Sequence, residues 1–182
     1  MTIKYQNIKG FKVPKGFRGK SIITVQLWFI INATLFRFSP RIANKWSKFL
    51  LIIFGAKVGT NVLIRPSAKI LYPWNLEIGN YSWIGDNVTI YNMGKIQIGD
   101  NTVISQKSYL CSGSHDHDKP TFDIFAKPIH IGNEVWIAAD VFVAPDVTIG
   151  DGNVVGYRST VSKNLPPNMI CIGNPAKPVK NR

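Results

Sequence analysis

The side chains able to do chemistry are few. The chain has three histidines, His115, His117 and His130, and two cysteines, Cys111 and Cys171. An imidazole that titrates near neutrality suits the removal of a proton from a hydroxyl or amine. His115 and His117 lie in the segment CSGSHDHDKPTFDIFAKP, residues 111–128, and His130 follows it directly before Ile131. His115 opens this segment, where ordered chain can still hold it, and is the expected general base. His117 lies deeper and is less fixed. The plain alternative for His115 is a loop histidine paired with Asp116 or Asp118. His115, His117 and His130 together could offer three metal ligands, but nothing in the spacing aligns His130 with the other two. No C-x-x-C or paired His/Cys spacing proposes zinc, so no metal is expected. No spacing argues for a Ser-His-Asp or Cys-His nucleophile either, and the nucleophile could be the substrate itself.

These residues must be held by something, and the sequence shows what. Ile131, Ile137, Val143, Ile149, Val155 and Val161 recur every sixth residue, usually followed by a small or acidic one. A period of six is neither helical nor simple strand alternation, and it marks a repeat architecture. Three hexapeptides make one turn of a solenoid, with each leading aliphatic pointing inward and successive turns stacking as parallel strands. The pattern begins at Val58. Val58-Gly59, Ile78-Gly79 and Ile98-Gly99 repeat at 20 residues rather than 18, with the surplus placed at 72–76 and 93–96. Those surplus residues should align along one corner as a ridge. From Ile98 to Ile131 the spacing is 33 residues, one turn with 15 extra. A solenoid accepts such an insertion as a loop leaving a corner, and loops of this kind usually carry function. The expected organisation is a capping segment over 1–56, a β-helix over 57–173 with a loop at 111–128, and a basic tail over 174–182. A filled β-helix has no internal pocket, so the site should lie outside, in a groove between neighbouring copies.

Composition bounds the rest. The chain has 182 residues with 45% hydrophobic residues, which excludes disorder. Two unlinked cysteines are too few for a disulfide framework and suggest a reducing compartment. The net charge of +12 is placed unevenly. Residues 1–76 hold 13 Lys or Arg and no acid, while the remainder holds nine basic and ten acidic residues. Such a half suggests an anionic partner, whether membrane surface, phosphorylated ligand or nucleic acid, or else a solvated face. Nucleic acid is not expected, because the basic segment carries no recognised fold for it. The apolar run 21–36 is 16 residues long and includes Gln26 and Asn32, short of the ~20 residues that a membrane span needs. It also fits a signal peptide poorly. The expected location is cytoplasmic, with peripheral membrane contact through residues 1–55. A helix is expected over 22–36 and a second beginning at Ser39-Pro40 and ending at Gly55. Ile42, Trp46, Phe49, Leu50 and Phe54 should cover one end of the solenoid.

With repeats and loop in place, residues 56–180 resemble the hexapeptide-repeat acetyltransferases, in the branch of maltose, galactoside and nodulation-factor O-acetyltransferases. The likeness is strongest to the colanic-acid-biosynthesis type. It rests on FGAKVG at 54–59, IRPSAKI and YPWNLEIG within 64–79, and WIGDNV at 83–88. ISQKSYLCSGSHD at 104–116, VWIAADVFVAPDVTIGDG at 135–152 and GNPAKPV at 173–179 complete it. The resemblance implies a left-handed β-helix, a homotrimer, acetyl-CoA as donor and a sugar hydroxyl as acceptor. The family's catalytic histidine maps onto His115 and an asparagine near the acceptor and thioester onto Asn87. A tryptophan lining the donor channel maps onto Trp136. The late coils that bind CoA contain Gly156, and a Thr/Ser-Lys step maps onto Ser162-Lys163. Lys177 or Lys180 falls near the nucleotide phosphates. A small hydroxyl residue found in related enzymes is Ala139 here, so that side-chain contact to the donor is lost or replaced. Asn87 also has a plain alternative, a corner asparagine in the left-handed backbone region, and Trp136 another, surface packing. A metal-dependent hydratase or a non-catalytic trimeric scaffold on the same fold are the rival functions.

Overall fold

Each hexapeptide forms a strand of two or three residues with one aliphatic turned inward, then bends. Three strands complete a turn, and the turns stack in register: Val58 beside Ile78, Ile64 beside Ile84, Ile70 beside Ile90. The computed structural model describes residues 5–40 and 44–182. The result is a left-handed parallel β-helix with three flat faces. Face A carries the strands led by Val58, Ile78, Ile98, Ile131 and Ile149. Face B carries those of Ile64, Ile84, Ile104, Ile137 and Val155, and face C those of Ile70, Ile90, Leu110, Val143 and Val161. The interior is a column of these aliphatics, most of them fully buried. Each such side chain stabilises the fold by ~1.5–3 kcal/mol relative to exposure.

The corners follow from the same repeat. Between faces A and B, Asn61, Tyr81, Asn101 and Glu134 all have positive φ. Between faces B and C, so do Asn87, Lys107, Asp140 and Arg158. A glycine leads each A–B corner because the next turn presses on it: a Cβ on Gly79 would lie 2.3 Å from Asp100 Oδ1. That carboxylate accepts from the Asn80 backbone N–H at 2.6 Å, Asn133 serves Asp100 at 2.9 Å, and Asp151 serves Asn133 at 2.7 Å. The ladder satisfies donors that the corner leaves outside the strand hydrogen bonds.

The surplus residues do align at the C–A corner. Asn92 Oδ1 accepts from the Tyr72 N–H at 2.8 Å, and Ser112 Oγ accepts from the Gly94 N–H at 2.8 Å. The 15-residue insertion leaves from this same corner. Cys111, expected within the loop, instead closes the strand Tyr109–Cys111, because it still pairs with Tyr91 on the turn before. The loop itself is ordered by a hairpin of Gly113–His115 against Ile124–Ala126.

Two helices cap the first turn. Helix α1, Ile22–Ile31, is capped by the Ser21 hydroxyl and continues into a π-helical turn over Asn32–Phe36. Helix α2 is Asn44–Ile53. It ends as expected at Gly55 (φ +94), with the Gly55 N–H donating to the Ile52 carbonyl and the Ala56 N–H to that of Leu51. Its expected start at Ser39-Pro40 runs into residues 41–43, including Ile42, which lie outside the described residues; Ser39 is buried and its hydroxyl donates to the Phe36 carbonyl at 2.7 Å. The covering face is corrected in part: Leu50 is buried and Phe54 packs on the core as expected, joined by Ser47 and Leu51, whereas Trp46 and Phe49 face outward. At the end of the coil Trp28 meets Phe36 in edge contact at 6.0 Å and Phe54 at 5.1 Å. Among the described residues no helix is long and apolar enough to cross a membrane.

The chain end also differs from the expected tail. Ala176–Asn181 forms a strand antiparallel to Met169–Gly173 and covers what would be an open edge of face B.

On face A, Glu77 bonds Lys57 at 2.8 Å, Lys95 at 3.0 Å and Gln97 at 2.6 Å. The Lys57 contact foremost, helped by Lys95 and Gln97, holds its carboxyl down from 4.5 to about 2. A folded-state pKa below the unfolded one gives stability that is present above pH 4.5 and is lost as pH falls towards 2. Glu77→Gln should therefore destabilise the protein at pH 7 by about 1 kcal/mol or less. The difference should vanish near pH 2, as read from urea unfolding across that range.

Candidate active site

His115 ends the first strand of the loop hairpin, at the C–A edge. Its Nδ1 lies 2.8 Å from the Phe122 carbonyl oxygen. A carbonyl can only accept, so Nδ1 carries the proton and Nε2 of the neutral ring keeps its lone pair. The imidazole also stacks on the Phe122 ring, with centroids 4.3 Å apart and planes 6° apart. An aromatic face of this kind favours a cation formed over it. Phe122 sits at φ +52, and its N–H donates to the Lys119 carbonyl at 2.9 Å. Lys119 in turn pairs with Asp116 at 3.7 Å and Asp123 at 3.3 Å, tying the two sides of the loop together. His115 is thus not paired with Asp116 or Asp118. The ion pair to Asp118 is made by His117, which is largely exposed.

The other flank of His115 is formed by residues that the sequence left as an irregular segment. Phe11 lies 5.6 Å from the imidazole at 54°, and the Asn7 N–H donates to the Pro120 carbonyl at 2.7 Å. A cleft of about 810 Å³ results, lined by Lys12, Pro14, His115, Asp116, Lys119 and Phe125. No periodicity pointed to Phe11, Lys12 or Phe122; their roles come from the path of the loop and the N-terminal segment.

His130 is exposed on face A, beside Gln97 and Thr148. Among the described residues no three His, Cys, Asp or Glu side chains are gathered to hold a metal ion. Burial pushes the Cys111 and Cys171 thiols up, which keeps them protonated and unsuited to nucleophilic attack.

Several of the remaining residues fall on a different edge. Asn87 and Ala139 stand at the B–C corner, with Gly156 beside them. Asn87 is exposed, and its backbone N–H is taken by the Ser67 hydroxyl at 3.1 Å. Lys107, Asp140 and Arg158 occupy the equivalent positions in other turns, so the left-handed corner alone does not demand asparagine. Trp136 projects from face B, 49% exposed, with its indole N–H donating to Ser105 Oγ at 3.0 Å. It therefore stands on the surface beside the corner rather than inside the packing. Gly156 has a structural reason of its own, since a Cβ there would lie 2.3 Å from Ile172 Cγ2. Around Ala139 lies a shallow depression of about 380 Å³ that also involves Gln106, Lys107, Tyr157 and Arg158. Position 139 itself carries no hydroxyl, but Lys107 and the exposed Tyr157 are present, and Arg158 is paired with Asp140 at 3.4 Å. Lys177 and Lys180 lie exposed on the last strand of face B. Ser162 and Lys163 follow the strand Thr160–Val161 and so sit at the C–A edge, on the side of His115.

Within one chain, then, the site residues do not meet. His115, Ser162 and Lys163 border one edge of face C, and Asn87, Trp136, Ala139 and Gly156 border or lie beyond the other. An extended run of about five residues separates the edges, roughly 16 Å at ~3.3 Å per residue.

Residues 128–163 match the family described as bacterial transferase hexapeptide (six repeats). The chain is 58% identical over 177 residues, 97% of either chain, to WcaF of Escherichia coli strain K12, a protein named for acetyl transfer in colanic acid biosynthesis. It is 35% identical over 128 residues to the galactoside O-acetyltransferase of the same organism, covering 69% of this chain and 63% of that one. The solved structure of a galactoside acetyltransferase in complex with coenzyme A is similar with a TM-score of 0.81 and 29% identity, over 92% of this chain and 83% of that one. The chain belongs to the hexapeptide-repeat acetyltransferases.

Proposed function

We propose that the protein transfers an acetyl group from acetyl-CoA directly to a sugar hydroxyl, with His115 as general base, in the synthesis of a surface or exported polysaccharide. The observation that carries this reading is the His115 Nδ1 contact to the Phe122 carbonyl, which leaves Nε2 free to take a proton. The hydroxyl oxygen attacks the thioester carbonyl as Nε2 removes its proton. The new C–O bond forms, the C–S bond breaks, and the imidazolium returns the proton to the departing CoA sulfur. The cleft with Lys12, Pro14 and Phe125 is the acceptor side. The depression at Ala139, on the side of Trp136, is the donor side, and the Lys107 ammonium there suits a phosphate of CoA. Asn87 is placed to hold the acetyl oxygen through its side-chain amide. Burial raises both thiol pKa values, which favours direct transfer over a thiol intermediate.

The site is assembled from two copies in a homotrimer: the His115 edge of one chain faces the Asn87 and Ala139 edge of the next. This reading is supported by the separation of the two sets across face C. It is also supported by the row of Tyr91, Tyr109 and Phe142 on that face, with the two tyrosine rings tilted at 6.1 Å and Phe142 stacked on Tyr109 at 5.8 Å. Aromatics of this kind are enriched where surfaces meet. The place of action is the cytoplasm, where acetyl-CoA is available, at the inner face of the membrane. The polysaccharide role is carried by the likeness to WcaF. Following thiol release from acetyl-CoA with sugars, sugar nucleotides and glycolipids as acceptors tests the whole. Release that depends on acceptor is expected. A folded trimer that neither binds CoA nor releases thiol would point to a scaffold instead.

A further inference from the structure

Helix α1 is apolar on nearly every side, yet only Val25 and Trp28 are buried. A helix apolar all round normally lies inside a protein or against lipid. Here Ile22, Ile23, Leu27 and Ile30 face outward, Ile23 at 77% exposure, and Phe38 beyond the helix reaches 80%. Helix α2 adds Trp46 and Phe49, stacked on each other at 5.8 Å and exposed, with Ile52 and Ile53 beside them. Scattered exposed apolar residues need no explanation, but half of the large exposed ones among the described residues fall within residues 22–53. Lys20 before α1, Arg37 beyond it and Lys45 on α2 are exposed cations of this cap, while Lys9, Lys12 and Lys15 are exposed along the segment that runs past His115. No acidic residue precedes Glu77, which is already held by Lys57 and Lys95.

We infer that the outer face of this N-terminal cap is a docking surface for an anionic lipid bilayer. Aromatic and aliphatic side chains enter the acyl boundary while lysines and arginines meet the headgroups. The place in the fold agrees. Both helices sit over the end of the coil: the Trp28 indole donates to the Ile70 carbonyl at 2.9 Å, and α2 packs on Lys57–Val58 and Leu63–Ile64. Copies packed side by side through their flat faces leave that end uncovered and set several caps in one plane. An end-to-end second copy would bury the apolar residues but would press two predominantly basic surfaces together, which their charge opposes. The segment that runs past His115 leads directly into this cap, so docking would bring the acceptor cleft close to membrane-bound substrate.

Flotation of the full chain with vesicles, without any substrate, tests this independently of the acetyl-transfer reading. Phosphatidylcholine vesicles containing about one third phosphatidylglycerol should carry the protein upward at low salt. Neutral vesicles should carry far less, and raised salt should weaken the binding. Ile23→Glu with Phe49→Glu, both at exposed positions, should lower partitioning about tenfold or more while circular dichroism and CoA binding stay unchanged. Protein remaining in the bottom fraction with anionic vesicles would overturn the inference. So would equal, salt-insensitive binding to neutral vesicles. A larger assembly that the double variant dissolves would overturn it as well, because the cap would then be a joint between copies.

Discussion

Replacing His115 by alanine is expected to lower kcat by roughly 10²- to 10⁴-fold, the usual contribution of a positioned general base, with KM for acetyl-CoA little changed. The reasoning is geometric. The Phe122 carbonyl fixes the Nδ1 proton, and the Phe122 ring and Phe11 hold the imidazole between them. The ring therefore enters the reaction already in the tautomer that accepts a proton at Nε2. Asparagine at the same position keeps a donor for the Phe122 carbonyl but offers no basic nitrogen, so His115→Asn should be about as inactive as His115→Ala. If asparagine restored most of the rate, His115 would be organising the loop rather than moving a proton. Steady-state rates at saturating acetyl-CoA decide between the two. His117, exposed and tied only to Asp118, should be replaceable by alanine with little loss.

The fold was readable because it is written in one repeated instruction. An inward aliphatic every six residues, with room for a tight corner after it, leaves few alternatives to a stacked coil, and the surplus residues then had to fall at one corner. The helical cap was readable only in part. Periodicity placed both helices, but which side chains of α2 turn inward depends on its packing over the end of the coil, where Ser47, Leu50 and Leu51 are buried and Trp46 and Phe49 are not. That is a tertiary fact with no local signal. The final strand was hidden for a similar reason: Ala176–Asn181 is polar and basic, and it is a strand because an edge is there to be covered.

The site divides in the same way. The loop and its histidine were legible as an interruption of the register. The partners of that histidine were not, because Phe11 lies more than a hundred residues away in sequence and Phe122 acts through a backbone carbonyl. Asn87, Trp136, Ala139, Gly156, Ser162, Lys163, Lys177 and Lys180 came from likeness to a family. The structure adds that they do not share one place on the chain. His115 leaves the coil after a face C strand, whereas Asn87 and Ala139 precede one on the turns before and after, so the chain crosses face C between the two edges.

Subunit complementation tests this division most directly. His115→Ala removes the base and leaves the Ala139 edge intact. Ala139→Trp fills the depression beside Lys107 and Tyr157 and leaves the His115 edge intact. Either variant alone should be nearly inactive. Mixed trimers formed by co-expression contain interfaces in which His115 comes from one variant and Ala139 from the other. With random assembly from equal amounts, about one quarter of interfaces qualify, because the contact is directional around the ring. The expected result is recovery of about one quarter of wild-type activity. No recovery, with mixed trimers verified by mass, would contradict a site shared between copies and would place all of its residues on one chain.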